Sequence, residues 1–438
     1  MLAVLSFIFL LVPYFIPSLF FLEFIGFVPL FFINRKFASQ ALIGFAFGFF
    51  YQLVLVSFLY EPIHIHAGIS YIYTFALIGL LALYLAIWWL FFFVCIKLFY
   101  NRLYIIPAVA VILEIARDHL LTGVPLFDLY LTQFQDHFLL KYAQISSYLI
   151  TFLLLLINLF VYFAISRKKP LFLVPVIAIL AIGYFLPANR TKIFPVKMLV
   201  VTEDIAQEKR WDNAFYYKII NRYINQTEIL AKRFHPDLIV WPEAAIPIVW
   251  NEYEKDDNLL INFEKKLKIP LLTGLLSYSP YGYTNSAFLF KKNALFRYDK
   301  MHLVPFGEYL PVRSLFDKIV NVTQGGEDLK AGEKITVFDV GKNRIAAPIC
   351  YETMFPFLIR RFKKEGADIA INITNDGWFS GTFAPKFLMR LLRFRAIENA
   401  IYFLRVSNDG PTILFDPNGA TVKPKASGLH YFVFDLAS

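Results

Sequence analysis

The chain has 438 residues, of which 58% are apolar and 17% charged, so it is too apolar for an ordinary soluble protein. Its two cysteines, Cys95 and Cys350, lie far apart in the sequence and exclude a disulfide framework. The net charge of +10 forms no dense basic stripe or known nucleic-acid motif, so nucleic acid is not expected as a partner. Many of the basic residues lie beside apolar stretches, as they do in membrane proteins.

The apolar residues are concentrated in the first part of the chain. Charges are rare up to about Leu186 and frequent from Thr191 onward. We therefore predict a multi-pass α-helical membrane domain over residues 1–190 and a second domain over residues 191–438. Seven stretches approach the roughly 20 apolar residues of a membrane span, and the first lacks the features of a cleaved signal peptide. They are Leu2–Ile16, Phe20–Ile33, Leu42–Leu59, Ile72–Ile96, Leu103–Leu121, Leu140–Ile165 and Leu171–Leu186.

Charges in the connections predict the orientation of these stretches. Lysine and arginine follow the second, fourth and sixth stretches, whereas the alternate connections carry acidic residues. Because basic connections stay in the cytoplasm, seven crossings place the second domain on the extracytoplasmic side. The basic residues are Arg35, Lys36, Lys97, Arg102, Arg167, Lys168 and Lys169.

Two polar features of the membrane half are ambiguous in the sequence. Glu114 and Arg117 lie in the fifth stretch, where ionisable residues often mark a functional site. They fit equally well an i, i+3 pair that faces the aqueous loop at a helix end. His64 and His66 have no neighbouring carboxylate or thiolate ligand set, so we expect loop residues and no metal site.

The second domain alternates short strand-like runs with longer amphipathic stretches. This interleaving predicts an α/β sandwich in which helices cover the faces of the sheets. The predicted strands are Met198–Val201, Leu238–Trp241, Pro270–Gly274, Ser286–Phe290, Ile345–Ile349, Ile369–Ile373 and Tyr402–Val406. The predicted helices are Asn213–Phe234, Asp256–Leu267, Phe355–Glu365 and Lys386–Asn399.

Three polar residues follow predicted strands: Glu243, Lys300 and Cys350. In α/β folds such positions converge on one crevice, and a carboxylate, an ammonium and a thiol together suit acyl transfer through a thioester. Each residue alone also has a plainer explanation. Glu243 could cap a helix, Lys300 could be a solvated turn residue, and Cys350 could be a small buried apolar residue. Their combination favours catalysis.

Short motifs surround these three residues and recur later in the domain. They are Trp241-Pro242-Glu243, Tyr298–Tyr309, Ile349–Glu352, Asn375–Phe379, Arg395–Glu398 and, more weakly, Thr122–Pro125. These motifs resemble those of the nitrilase, or carbon-nitrogen hydrolase, superfamily. Together with the apolar first half, they are similar to its membrane-embedded members, the apolipoprotein N-acyltransferase family. This resemblance implies a nitrilase-like αββα sandwich after the membrane helices.

The resemblance also implies a reaction, with Cys350 as nucleophile and Glu243 as base. Lys300 and a backbone N–H near Tyr351 would bind the oxyanion. An acyl chain would pass from a phospholipid to the α-amino group of the diacylglyceryl-cysteine of an apolipoprotein. The resemblance implies no metal or other cofactor, and it implies a monomer in the bacterial inner membrane with its catalytic domain on the periplasmic side.

Supporting roles follow from the same resemblance. Glu308 and Glu352 would orient the catalytic groups, and four aromatic residues would bind substrate: Trp211, Trp241, Trp378 and Phe379. Two apolar segments would rest in the bilayer interface and admit an acyl chain. Their apolar residues are Leu310, Val312, Leu315, Phe316 and Ile319 in the first, and Trp378, Phe379, Phe383, Phe387 and Met389 in the second.

Two other functions are compatible with these residues. A membrane-tethered amidase of the nitrilase type would use the same three groups, with water as the second nucleophile. A non-catalytic scaffold would only bind lipid or protein, which gives no reason to hold a thiol beside a base and an ammonium.

Overall fold

The structure is a computed structural model, and it describes residues 1–120, 123–191, 193–210, 212–310 and 328–436. The chain divides into two compact units. The first unit comprises Met1–Tyr60 and Ser70–Asn189, and the second comprises Glu61–Ile69 and Arg190–Ser438. The first unit is helical, and the second contains two β-sheets with flanking helices. The predicted fold class, a helical membrane domain followed by an α/β sandwich, is confirmed.

The first unit contains helices α1 to α6. In chain order they are Leu2–Phe15, Phe37–Val56, Tyr71–Leu98, Ile106–His119, Ser147–Ser166 and Val174–Phe185. In the part of the chain that the structure describes, three helical segments are long and apolar enough to cross a membrane. They are Phe37–Leu59, Tyr71–Leu98 and Ser147–Ser166.

Two of the predicted stretches are not continuous helices. The stretch predicted over Phe20–Ile33 is divided into a 3-10 segment and two single helical turns. The stretch predicted from Leu103 becomes α-helical only at Ile106. Three of these segments have a proline in their first turn, where proline lacks the N–H that would continue a preceding helix, whereas the turn Glu23–Gly26 has none. These prolines are Pro17, Pro29 and Pro107.

The structure gives the surroundings of Glu114 and Arg117, for which the sequence left two interpretations open. Both residues are buried. Arg117 pairs with Asp118 at 3.3 Å and with Asp128, while Glu114 accepts a 2.8 Å hydrogen bond from the backbone N–H of Leu129. Arg117 therefore pairs with one aspartate inside α4, Asp118, and with one in the connection that follows the helix, Asp128.

Two glycines bring helices α2 and α3 into close contact. Gly44 and Gly48 are four residues apart on α2 and face Phe93 and Trp89 of α3. A Cβ atom at either glycine would lie 2.5 Å from the Cβ atom of the facing aromatic residue. Small residues at this spacing allow two helix backbones to approach closely, which stabilises helix pairs in a membrane through van der Waals contact.

Over its described residues, the second unit contains fourteen strands in two sheets. The eight-stranded sheet has the order β13-β14-β1-β2-β4-β5-β6, with β3 also paired to β4. The six-stranded sheet has the order β12-β11-β10-β9-β8-β7. In chain order from β1 to β14 the strands are Val196–Val201, Leu238–Val240, Val249–Trp250, Leu271–Ser279, Gly282–Lys291, Ala294–Asp299, Val337–Val340, Asn343–Ala346, Ile369–Asn375, Tyr402–Asn408, Ile413–Phe415, Thr421–Val422, Ala426–Gly428 and Tyr431–Leu436.

Helices cover the outer faces of both sheets. The larger sheet packs on α7 and α8 through a buried cluster that includes Ile220, Tyr223 and Phe263. Helix α10 packs on β10 and β11 of the smaller sheet, and α9 packs on α10. In chain order α7 to α10 are Tyr216–Phe234, Glu254–Leu267, Pro356–Lys364 and Ala384–Asn399. The inner faces of the sheets meet where Gly274 approaches Ile373.

Parallel pairing at the centre of each sheet sets the position of the site. Strand β2 runs parallel to β1 and β4, and β9 runs parallel to β8 and β10. Residues that follow these strands therefore collect at the carboxyl edges of the two sheets, as they do in other α/β proteins.

The close contact between α2 and α3 predicts an effect on stability. Gly48→Ala places a methyl group against Trp89 and should destabilise the protein by about 1–3 kcal/mol, the usual cost of overpacking. Gly79→Ala is the matched control, because a Cβ at Gly79 on α3 meets no atom within 4 Å. The thermal unfolding midpoint in detergent checks the prediction. Equal midpoints for the two variants would contradict the assigned glycine contact.

Candidate active site

The structure brings together the charged groups that follow the strands. Glu243 lies three residues after β2, and Lys300 lies directly after β6. The Lys300 Nζ atom is 3.7 Å from Glu243 Oε1. Lys300 is only 1% exposed, so its ammonium is held almost entirely by protein groups.

The Glu243 carboxylate is fixed at both of its oxygens. Asn285 donates a 2.7 Å hydrogen bond to Oε1 from the larger sheet, and the backbone N–H of Asn375 donates a 2.9 Å bond to Oε2 from the smaller sheet. Gly274 packs against the backbone of Glu243. Position 274 has no space for a side chain, since a Cβ atom there would lie 2.7 Å from Glu243 Cα. The carboxylate is therefore held by both sheets at once.

A second carboxylate, that of Glu308, completes the surroundings of Lys300. Its Oε1 atom accepts hydrogen bonds of 2.8 Å from both Lys300 Nζ and Asn285 Nδ2. Its Oε2 atom accepts a 2.8 Å bond from the backbone N–H of Val304. Asn285 thus bridges the two carboxylates, a role that we did not predict. The sequence offered little signal for it, because Asn285 stands between two other polar residues, Thr284 and Ser286, in β5.

Glu352 links the lysine segment to the cysteine segment. Its Oε1 atom accepts 2.7 Å bonds from Tyr298 Oη and from the backbone N–H of Met301, on either side of Lys300. Its Oε2 atom accepts a 2.8 Å bond from the backbone N–H of Ile349. Burial raises the pKa of Glu352 to about 7, against the hydrogen bonds that lower it. This carboxyl fixes the spacing of the two segments.

Cys350 occupies a strained turn at the end of the smaller sheet. Its φ of 47° lies in the left-handed region, which a non-glycine residue adopts at a cost of about 1 kcal/mol or more. The Cys350 carbonyl accepts a 3.3 Å bond from Asn372 Nδ2, which helps to fix this turn. Such a turn presents the side chain at the sheet edge, as in other enzymes with a nucleophile at a strand-to-helix connection.

The electrostatic surroundings keep Cys350 protonated at rest. Burial, and then the negative charge of Glu243, raise the pKa of the Cys350 thiol to about 12, although Lys300 lowers it. Burial also raises the pKa of Glu243, while Lys300 opposes that rise. Burial disfavours the charge on Lys300, but Glu308 and Glu243 outweigh it and raise the pKa of the ammonium. These surroundings therefore favour a protonated thiol at Cys350 and a charged ammonium at Lys300.

A buried ion pair between Arg405 and Asp376 supports the turn that contains Cys350. Arg405 donates to both oxygens of Asp376 at 2.6 and 2.8 Å and to Asn372 Oδ1 at 2.9 Å. Asn372 in turn binds the Cys350 carbonyl. Arg405 and Asn372 were not predicted, because a polar residue inside a strand-like run does not reveal which face of the sheet it occupies.

The predicted aromatic substrate-binding residues have different positions. Trp241 is fully buried, stacks on Phe263 at 5.6 Å and donates to Thr227 Oγ1 at 3.0 Å. It packs the core beneath α7 and α8, so the prediction that Trp241 binds substrate is wrong. Trp378 and Phe379 are half-buried in the turn after β9, where the Trp378 ring lies 5.7 Å from the ring of His66. Trp211 lies outside the described residues.

The two predicted interfacial segments are only partly described. Leu310 is buried, while Val312, Leu315, Phe316 and Ile319 lie outside the described residues. In the second segment Phe387 is only 2% exposed in α10, so it packs the core and does not reach a lipid surface. Tyr351, beside Cys350, packs edge-on against Phe355 at 5.1 Å.

The arrangement suits nucleophilic acyl transfer. A thiol, a carboxylate that can accept its proton and a fixed cation that can bind an oxyanion are the groups that this chemistry requires. Over the residues that the structure describes, no cluster of three or more histidine, cysteine, aspartate or glutamate side chains could hold a metal ion.

Comparisons with known families agree with this chemistry and with the membrane half. The model of the carbon-nitrogen hydrolase family matches residues 201–428, and the model of the apolipoprotein N-acyltransferase N-terminal domain matches residues 2–160. Similar solved structures include Nit3 from Saccharomyces cerevisiae, described as a member of branch 10 of the nitrilase superfamily. That match has a TM-score of 0.45 and 21% identity, and it covers 57% of this chain and 93% of Nit3.

Similar curated proteins include two apolipoprotein N-acyltransferases. The protein from Geobacter metallireducens is 31% identical over 335 residues, which are 72% of this chain and 64% of that relative. The protein from Aquifex aeolicus is 30% identical over 342 residues, covering 75% of this chain and 74% of the relative. The chain thus spans slightly less than two thirds of the Geobacter protein. On these matches, the chain belongs to the apolipoprotein N-acyltransferase family of the carbon-nitrogen hydrolase superfamily.

Proposed function

We propose that the protein moves an acyl chain from a phospholipid to the α-amino group of the diacylglyceryl-cysteine of apolipoproteins. The acyl chain is carried as a thioester on Cys350. The observation that supports this most is the buried Lys300 ammonium, held at 2.8 Å from Glu308 and 3.7 Å from Glu243. It lies at the end of the larger sheet, near enough to Cys350 of the smaller sheet for their charges to interact. The relatives' name specifies an apolipoprotein as acceptor and an amine as the acylated group.

In the first half-reaction, Glu243 takes the proton from Cys350 as the sulfur attacks the ester carbonyl of the phospholipid. Because the thiol pKa is about 12, this proton transfer must accompany the attack. The carbon–oxygen bond to glycerol then breaks. Glu243 returns the proton to that oxygen, and lysophospholipid leaves.

Lys300 stabilises the negative oxygen of the tetrahedral intermediate, with the backbone N–H near Tyr351 as a second donor. A preorganised cation in a buried site is effective because it needs no reorganisation when the charge develops. Glu308 and Glu352 act through Lys300: the first binds its ammonium and the second holds the segment around it.

In the second half-reaction, the α-amino group of the acceptor attacks the thioester carbonyl. Glu243 accepts a proton from the attacking nitrogen and passes it to the departing Cys350 sulfur, which restores the thiol. The new bond is an amide, so the acyl chain becomes attached to nitrogen. Trp378, Phe379 and Trp211 serve as contacts for the substrates.

A lipid environment and a lipoprotein acceptor accord with the family. Beyond these, we propose a monomer in the bacterial inner membrane, with a domain boundary near residue 190 and the catalytic domain on the periplasmic side. The alternation of basic and acidic connections between apolar stretches supports this orientation.

The thioester mechanism predicts a covalent adduct. Incubation of the protein in nanodiscs with a phospholipid that carries a labelled sn-1 acyl chain should give labelled Cys350, detected by mass spectrometry of its peptide. Cys350→Ala should abolish the adduct, and Glu243→Gln should slow its formation about 10²–10⁴-fold because the proton acceptor is lost.

The matched control is Cys95→Ala, which removes the other cysteine, in a helix of the first unit, and should leave adduct formation unchanged. Retention of wild-type acyl transfer by Cys350→Ala would show that the nucleophile is a different residue.

The raised pKa of Cys350 predicts opposite effects of Glu243 on alkylation and on acyl transfer. In the Cys95→Ala background, a neutral alkylating reagent should modify Cys350 slowly at pH 8. Glu243→Gln removes a negative charge that raises the thiol pKa, so the thiolate forms at lower pH and alkylation becomes faster. Acyl transfer becomes slower in the same variant. Alkylation rates that are equal in both proteins from pH 7 to 10 would contradict the electrostatic coupling.

A further inference from the structure

Arg210 is a buried arginine without a carboxylate partner among the described residues. It ends the short helix Gln207–Arg210 and has no exposed surface. Its guanidinium donates to the carbonyl oxygens of Ala244 and, at 3.5 Å, of Ile205, while its Nε atom has no hydrogen-bond partner in the described structure. Burial of a cation that is bound only to carbonyl oxygens costs free energy, so an arginine in this position calls for a compensating interaction.

The contact with Ala244 acts directly on the backbone of the base. Ala244 follows Glu243 and has a φ of 45°, in the left-handed region that a residue with a Cβ rarely adopts. Gly274 packs against the other side of this backbone, where its missing side chain leaves room for Glu243 Cα. The hydrogen bond from Arg210 to the Ala244 carbonyl therefore helps to hold the strained peptide that aims Glu243 at the site.

Arg210 also balances the charges of the site. Glu243 and Glu308 contribute two carboxylates, against the one ammonium of Lys300 that binds them. Arg210 supplies the second cation: burial lowers the pKa of its guanidinium, and the negative charge of Glu243 opposes that change. The other ionisable groups near Arg210 are Tyr223 on α7 and Asp409 after β10.

We propose that Arg210 is a positioning residue that keeps the general base Glu243 ionised and correctly oriented through its charge and its bond to the Ala244 carbonyl. This proposal rests on the proposed function, because it assigns Arg210 a role toward the base of that reaction. Lys300, Glu308 and Cys350 are the other ionisable groups that face Glu243.

The sign of the effect follows from the charge. A cation near a carboxylate lowers its pKa, so removal of Arg210 should raise the pKa of Glu243. Because the base works only when ionised, the acid limb of the rate profile should move to higher pH. A shift of about one pH unit makes the reaction about tenfold slower along that limb.

The test is the pH dependence, from pH 5 to 9, of single-turnover thioester formation on Cys350 by the full chain in nanodiscs. We expect Arg210→Met to move the acid limb upward by about one pH unit and Arg210→Lys, which keeps the charge, to restore at least half of that shift. Lys209→Met removes an exposed positive charge from the neighbouring residue and should leave the limb in place.

A loss of rate in Arg210→Met that is equal at every pH would overturn the proposal, because it would indicate a structural role alone. A profile of Arg210→Lys that matches Arg210→Met would also overturn it. If Arg210→Met does not fold, as judged by its thermal unfolding, the decision rests on Arg210→Lys, whose acid limb must lie within half a pH unit of the wild type.

A second readout separates this proposal from the proposed function. In the Cys95→Ala background, the rate of Cys350 alkylation rises with pH and first reaches a plateau at the pH where Glu243 ionises, because the new negative charge raises the pKa of the thiol. This plateau forms whether or not acyl transfer occurs. Absence of a thioester in the wild type would refute the proposed function. An upward shift of the alkylation step in Arg210→Met would still support the role of Arg210, and an unshifted step would refute it.

Discussion

The buried ammonium of Lys300 is the feature on which the rest of the site depends. At 1% exposure it has lost its hydration, and such a charge is stable only when opposite charges and hydrogen bonds replace the water. Glu308 and Glu243 supply those charges, and each carboxylate must in turn be held by fixed donors. Asn285 and the Asn375 amide meet that need, and they bind the two sheets together at the same point.

The same constraint connects the architecture to the chemistry. A cation that cannot leave the site is available for an oxyanion without reorganisation, and a carboxylate held at both oxygens is presented to the thiol in one orientation. Glu352 transmits this order to Cys350, since it binds the backbone beside Lys300 and the backbone that precedes Cys350. Positions within the site are thus set by a hydrogen-bond network and not by Glu243, Lys300 and Cys350 alone.

Particular residues show how far the sequence could predict this site. Glu243, Lys300 and Cys350 could be placed together because each follows a strand, and the carboxyl ends of parallel strands share an edge. Asn285 and Arg210 could not be assigned, since spacing does not show which buried polar residue faces a charge. Trp241 was misassigned because it belongs to the same motif as Glu243 while its side chain points to the opposite side of the sheet, into the core. The broken apolar stretch around Pro17 and Pro29 shows that hydropathy predicts burial in an apolar environment better than it predicts continuous helix.

The central claim is that one thiol carries the acyl chain between a lipid donor and an amine acceptor. The most direct measurement is to isolate the protein with labelled acyl chain on Cys350, free of donor, and mix it with a diacylglyceryl-cysteine peptide. The account predicts that the label moves to the peptide α-nitrogen at least tenfold faster than it appears as free fatty acid. Release to water alone, at a rate that the peptide does not change, would contradict the account and indicate a hydrolase.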